Sequence, residues 1–60
     1  MSTQRTVVVW GEPQVVSVHR KSKSVWVAVG DYMGDSITVQ DRSEGAALKR
    51  WREAATYKGN

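Results

Sequence analysis

The chain has 60 residues, with nine Lys and Arg against six Asp and Glu, and a formal net charge of +3. Hydrophobic residues make up 40% and charged residues 25%, a composition typical of a folded chain and not of a disordered one. The length allows one domain, the absence of cysteine excludes disulfides and thiolate zinc sites, and a single histidine cannot supply a stabilising metal site.

Four runs rich in β-branched residues predict four short strands, at about 6–10, 14–20, 24–30 and 36–40. The first run ends before Pro13, within a turn signal, and the polar segment 20–24 fits a hairpin turn. A loop bounded by Gly30 and Gly34 separates the third run from the fourth. The pattern indicates a three- or four-stranded antiparallel β-meander.

The last third of the chain is rich in alanine and predicts a helix over about 43–58. One apolar stripe recurs at spacings of three and four residues: Ala47, Leu48, Trp51, Ala54 and Ala55. Asp41, followed three residues later by Glu44, predicts a capping box with Asp41 as N-cap, and Gly59 is expected to end the helix. The predicted fold class is therefore α+β, an antiparallel meander packed on one C-terminal helix.

One helix covers only one face of so small a sheet, which leaves the other face open. We expect the covered face to carry Val16, Val18, Val25, Val27, Val29, Ile37 and Val39. The open face then carries Ser17, His19, Lys21, Ser24, Trp26, Ala28, Thr38 and Gln40.

Three segments resemble a known family: Trp26-Val-Ala28, Asp41-Arg-Ser-Glu-Gly-Ala-Ala47 and Glu53-Ala-Ala-Thr-Tyr-Lys-Gly59. In this order they resemble the AP2/ERF DNA-binding domain, a three-stranded sheet backed by one helix, an architecture shared by the N-terminal domains of phage-type integrases. The resemblance runs from Val16 to Gly59. It implies DNA binding through exposed strands, with Trp26, Arg20 and Lys21 at positions comparable to DNA contacts.

The chain also departs from the family pattern. Val29-Gly30 follows the Trp-Val-Ala strand where the family tends to have an acidic residue and a basic one nearby. The loop from Gly30 to Asp35 is short, and an additional apolar segment, Val7 to Trp10, precedes the matching region.

The leading hypothesis is a non-enzymatic nucleic-acid-binding module that acts through the open sheet face and the basic hairpin. Its candidate site residues are His19, Arg20, Lys21, Lys23 and Trp26. Cations at a hairpin bind phosphates and an indole stacks on bases, so this combination favours DNA as the partner. The alternative interpretation of the same residues is a solvated hairpin tip, with Trp26 packed under the N-terminal strand.

The rival hypothesis is a protein-interaction or self-associating domain without a nucleic-acid role. Its contact surface consists of Val7, Val9, Trp10 and Trp26. An apolar strand at a sheet edge pairs readily with a second copy or with another protein. Pairing of Trp10 with Trp26 across the open face would instead close that face.

Other function classes find little support in the residues. His19 has no cysteine to pair with, and nothing singles out Ser17 or Ser24 as a nucleophile. Asp31 and Asp35 flank a turn but supply too few oxygens for calcium. We expect no enzyme activity, no metal, no cofactor and no small-molecule substrate.

The apolar run from Val7 to Trp10 is too short for a secretory signal or a membrane span. A cytoplasmic protein without membrane contact is therefore expected. Met1 and the short ends predict a complete small bacterial product.

Overall fold

Four antiparallel strands and one C-terminal helix make up residues 2–58, the part of the chain that the computed structural model describes. The elements are β1 (Ser2–Val9), β2 (Glu12–Ser22), β3 (Val25–Tyr32), β4 (Asp35–Asp41) and α1 (Glu44–Lys58). Neighbouring strands follow chain order, so the sheet is an open meander, and α1 packs on one of its faces. The predicted α+β class is confirmed. Gly59, the expected helix stop, and Met1 lie outside the described residues.

Within residues 2–58, α1 is the one helix, and it is neither long nor apolar enough to cross a membrane. Its buried residues are Ala47, Trp51 and Ala55, while Leu48 is half-buried against the same core. The predicted apolar stripe therefore faces the sheet.

Two of the three hairpin turns use two residues with positive φ. Trp10 and Gly11, between β1 and β2, have φ values of 52° and 77°. Met33 and Gly34, between β3 and β4, have values of 53° and 82°. This combination is that of type I′ turns, whose twist matches the twist of the flanking strands. Trp10 was predicted to end the first strand, but it occupies the turn.

The β2–β3 hairpin contains a bulge that decides which side chains face the helix. Ser22 lies opposite Val25 at the tip, yet Arg20 lies opposite Trp26, which leaves Lys21 as the extra residue. Had the register at the tip continued, Val29 would lie opposite Val18. The bulge shifts the pairing by one residue, so Ala28 takes that place.

The predicted orientation of β3 is therefore wrong. Because side chains alternate between the faces of a strand, Trp26, Ala28, Gly30 and Tyr32 lie on the helix side. Val25, Val27 and Val29 lie on the open face, across from Ser17, His19, Thr38 and Gln40. Val16, Val18, Ile37 and Val39 face the helix as predicted.

The indole of Trp51 occupies the centre of the core and is fully buried. Its ring meets the Tyr32 ring edge to face, with centroids 6.5 Å apart and planes at 82°. Its Nε1 donates to the carbonyl oxygen of Ile37 at 3.1 Å. A Cβ placed on Gly30 would lie 2.8 Å from Cζ2 of Trp51, so the ring seats directly on the backbone of β3. Gly30 is thus part of a strand and not the start of the predicted loop.

The helix begins two residues later than a cap at Asp41 would require. Asp41 still pairs with Trp26 as the last residue of β4. Ser43 is the N-cap, because its Oγ accepts from the N–H of Ala46 at 3.1 Å and its carbonyl accepts from the N–H of Ala47. The capping box with Asp41 as N-cap was therefore wrong.

Replacing Gly30 by alanine tests the seat of the tryptophan. The new Cβ would displace a fully buried indole, so we expect Gly30→Ala to lower the free energy of unfolding by about 1–3 kcal/mol. Urea denaturation measures the change. The matched control is Gly45→Ala, whose Cβ would meet nothing within 4 Å in the first turn of α1. It should leave stability unchanged or raise it by up to about 1 kcal/mol. Equal losses of stability in the two variants would show that the contact with Trp51 does not explain the glycine at position 30.

Candidate nucleic-acid interface

The structure brings together five cations at one end of the sheet. In a meander the β2–β3 turn and the junction between β4 and α1 lie at the same end, because successive strands run in opposite directions. We call this region the basic end; it consists of Arg20, Lys21, Lys23, Arg42 and Arg50, together with the carboxylate of Asp41.

Pairing across three strands fixes the spacing at this end. Arg20 lies opposite Trp26, and Trp26 lies opposite Asp41, so the three residues form a row on the helix side. Neighbouring strands are about 4.8 Å apart, which places the backbones of Arg20 and Asp41 about 10 Å from each other. Arg42 follows directly on this row.

Arg20 shapes the turn as well as adding charge. Its Nε donates to the carbonyl of Ser22 at 3.2 Å, and its second terminal nitrogen donates to the carbonyl of Lys23 at 3.0 Å. A guanidinium has five N–H donors, so other donors stay free for a ligand. Lys21, pushed out by the bulge, and Lys23, at the turn, are both exposed. None of these three cations has a carboxylate within 4 Å among the described residues.

Asp41 holds two of the cations in place. Its Oδ1 accepts from the backbone N–H of Arg42 at 2.7 Å, and its Oδ2 accepts from Nε of Arg50 at 3.2 Å. The backbone hydrogen bond from Arg42 and, after it, the hydrogen bond from Arg50 lower the pKa of Asp41. The carboxylate therefore stays ionised in mildly acidic solution and keeps Arg50 at the basic end.

Charge is unequally divided between this end and the rest of the molecule. With Glu44 at the start of α1 included, this end has five cations against two carboxylates. The other four cations, Arg5, Lys49, Arg52 and Lys58, are balanced by the four remaining carboxylates. Two of those four are paired, Arg5 with Glu44 at 3.5 Å and Lys58 with Asp35. The positive charge of the chain thus originates from one end.

The predicted site is assembled only in part. Arg20, Lys21 and Lys23 lie together, as the hairpin prediction requires. His19 is half-buried on the open face, opposite Val27, and points away from the row that Arg20 joins. Trp26 is half-buried and packs against the core on the helix side, so its indole is not presented for stacking on the open face. The alternative interpretation, in which Trp26 is packed, describes its position better. Trp26 packs against the core on the helix side, however, and not under the N-terminal strand.

The open face itself offers little charge. On the described strands, the bulged Lys21 is the one Lys or Arg at this face, and Asp31 is its one carboxylate. Arginine and asparagine are the usual readers of base edges in the major groove. The described strands place no arginine or asparagine on this face, and Gln4 and Gln40 are its amide side chains, so few groups there can read base edges.

The rival interaction surface does not form in the predicted shape. Val9 is a core residue at 1% exposure, and Val7 is half-buried against the same core. Trp10 is 60% exposed, and its Nε1 donates to the carbonyl of Thr56 at 3.2 Å. Trp10 lies at the same end of the sheet as Tyr32, the last residue of β3. Trp26 is six residues from Tyr32 along the strand, so roughly 20 Å separate it from that end. The proposed contact between Trp10 and Trp26 was wrong.

Sequence reasoning missed Arg42 and Arg50. Both lie at least 18 residues beyond the polar segment 20–24, so no local cluster marks them. The topology could have shown them, because two strands, β3 and β4, follow the β2–β3 turn and return the chain to the same end of the sheet before α1 starts. No family model, no curated protein and no solved structure matches this chain.

Replacing Asp41 by asparagine tests its part in holding the basic end. Because the pKa of Asp41 is lowered in the fold, its contribution is fully present above the ordinary aspartate pKa of about 3.9 and is lost as the pH falls through the lower folded value. We expect Asp41→Asn to lower Tm at pH 7, and the difference from wild type to shrink as the pH is lowered below about 4.

Thermal unfolding followed by circular dichroism across this pH range makes the comparison. Asp31→Asn is the control, because Asp31 makes no ion pair within residues 2–58. Its Tm difference should stay small at every pH. A Tm difference for Asp41→Asn that persists unchanged below pH 3 would mean that the carboxylate charge is not responsible.

Proposed function

We propose that this protein is a small non-enzymatic nucleic-acid-binding module that holds the phosphate backbone with its basic end. The observation that carries the proposal is the separation of charge, with five cations against two carboxylates at that end and equal numbers of cations and carboxylates elsewhere. Clustered Lys and Arg displace the counterions condensed on a nucleic acid, which drives sequence-independent binding.

The side chains at this end suit phosphates better than bases. Lys21 and Lys23 are flexible cations on an exposed turn, and Arg42 is exposed beside them. Duplex DNA is the expected partner, bound with weak preference for sequence, since the open face has few groups that read base edges. This proposal moves the contact surface from the sheet face to the end of the sheet.

The resemblance to the AP2/ERF domain remains an expectation and supports the proposal only in part. The family uses the exposed face of its sheet. Here Trp26, the most distinctive residue carried over from the resemblance, faces the helix. Of the positions compared with DNA contacts, Arg20 and Lys21 belong to the basic end. The support from the resemblance therefore rests on these two residues. The charge distribution supports the proposal independently of the resemblance.

The binding constant is expected to depend steeply on salt. About four phosphate contacts predict that affinity for a duplex falls on the order of 100-fold between 50 and 200 mM NaCl. Replacing both Lys21 and Lys23 by glutamate should weaken binding at low salt by at least about tenfold and reduce the slope of log K against log salt by about two. Fluorescence anisotropy with a labelled duplex measures both quantities.

The matched control is the double variant Arg52→Glu with Lys58→Glu, in the second half of α1. It alters net charge by the same amount, but both residues lie outside the basic end and outside the pocket that Asp41, Arg42 and Arg50 line. Its affinity should stay within a few-fold of wild type. Equal loss in the two double variants would show that only overall charge matters, and absence of binding by wild type at low salt would overturn the proposal.

A further inference from the structure

The two edges of the sheet are protected very differently. At the β4 edge, Trp51 donates to the carbonyl of Ile37, Arg50 pairs with Asp41, and Lys58 pairs with Asp35. The helix therefore contacts β4 near the start, the middle and the end of that strand. Among the described residues, the β1 edge has the ion pair between Arg5 and Glu44, and the turn after β1 is tied to the helix by the hydrogen bond from Trp10 to Thr56.

The β1 edge also lacks the usual devices that prevent strand addition. Natural edge strands are blunted by Pro, by bulges, by repeated charges or by short length. β1 is 8 residues long, it pairs with β2 without a bulge, and Arg5 is its only charged residue. Its outer N–H and C=O groups are therefore available to another strand.

A groove runs between this edge and the helix. It has a volume of about 430 Å³ and is lined by Thr6, Val7, Val8, Leu48, Lys49 and Arg52. Its floor is apolar, from Val7 and Leu48, and Lys49 and Arg52 stand on the helix side. Neither of these two cations has a carboxylate within 4 Å among the described residues. An incoming strand thus meets unpaired backbone, an apolar floor and the positive charges of Lys49 and Arg52, which outnumber the neighbouring carboxylate of Glu53.

We propose that the β1 edge binds an extended acidic segment of a partner protein as a fifth strand of the sheet. Main-chain hydrogen bonds to β1 supply the affinity, and alternate side chains, which project to the helix side, supply the specificity. An apolar side chain packs on Val7 and Leu48, and an Asp or Glu at the next position on the same side meets Lys49 and Arg52.

The β1 strand of a second copy would bring no carboxylate into this groove. Two β1 strands in antiparallel pairing would offer each groove only the side chains of β1, of which Arg5 is the charged one. In no register does β1 bring a carboxylate to Lys49 and Arg52. Charge complementarity therefore selects an acidic partner over self-association.

The probes are two capped peptides, Thr-Val-Thr-Glu-Thr-Val-Thr and its counterpart with Lys in place of Glu. Both present two valines and the central charged residue on one side of a strand. Amide chemical shifts of the ¹⁵N-labelled full chain report the binding site and the affinity. We expect the Glu peptide to shift β1 amides and to bind about tenfold more tightly than the Lys peptide. Equal binding of the two peptides, no shift with either, or shifts confined to other strands would overturn the proposal.

Charge reversal separates this site from the basic end. The double variant Lys49→Glu with Arg52→Glu should reverse the preference, so that the Lys peptide becomes the tighter ligand. The variant Lys21→Glu with Lys23→Glu should lose duplex binding and keep the preference for the Glu peptide. Because both substitutions in each pair are on exposed side chains, the reference spectrum of the free protein shows that the fold is intact.

Each proposal can then fail separately. Loss of duplex binding on reversal at Lys49 and Arg52, with unchanged peptide preference, would assign the groove to nucleic acid and overturn the peptide site. Self-association detected by sedimentation, abolished by Thr6→Pro on the β1 edge, would assign the edge to a second copy.

Discussion

The seat of Trp51 on Gly30 is the constraint on which the arrangement of helix and sheet depends. The ring has no room for a side chain beneath it, it meets Tyr32 edge to face, and its N–H is bonded to the carbonyl of Ile37. Three contacts on β3 and β4 therefore fix one helical residue. A chain of this size buries only about 60% of the surface it exposes when unfolded, so a single large buried ring accounts for much of the specificity of packing.

Sequence periodicity was sufficient for the elements and their class. The four strands, the helix and its buried stripe follow from local spacing, which depends on nearby residues. The orientation of β3 could not be obtained in this way. It depends on one extra residue at Lys21, and neither face of Val25 to Tyr32 is polar enough to reveal the shift. Gly30 was misread for a related reason, because a glycine that makes room for a ring and a glycine that ends a strand look alike in a sequence.

The candidate site was predictable only where it is local. Arg20, Lys21 and Lys23 are close together in the sequence, and their grouping holds in the fold. Arg42 and Arg50 join them through topology, and Asp41, interpreted as a helix cap, instead connects the end of β4 to the first half of α1. Trp26 was assigned to the open face for the same reason that β3 was inverted. The misplacement of Trp26 thus derives from an error in one register and does not reflect the chemistry of the residue.

The anchor at Trp51 also explains why the two edges of the sheet differ. A helix fixed to β3 and β4 at its centre by Trp51 is also held there by the neighbouring Arg50, which pairs with Asp41, and at its C-terminal end by Lys58, which pairs with Asp35. It therefore packs more closely on β3 and β4 than on β1, and a groove remains beside β1. With one helix and four strands, closer packing at one edge leaves the other less covered. The same anchor brings Arg50 to the end where the β2–β3 turn lies. The exposed edge and the basic end are consequently two results of one packing contact, and a change in the Trp51 seat should alter both surfaces together.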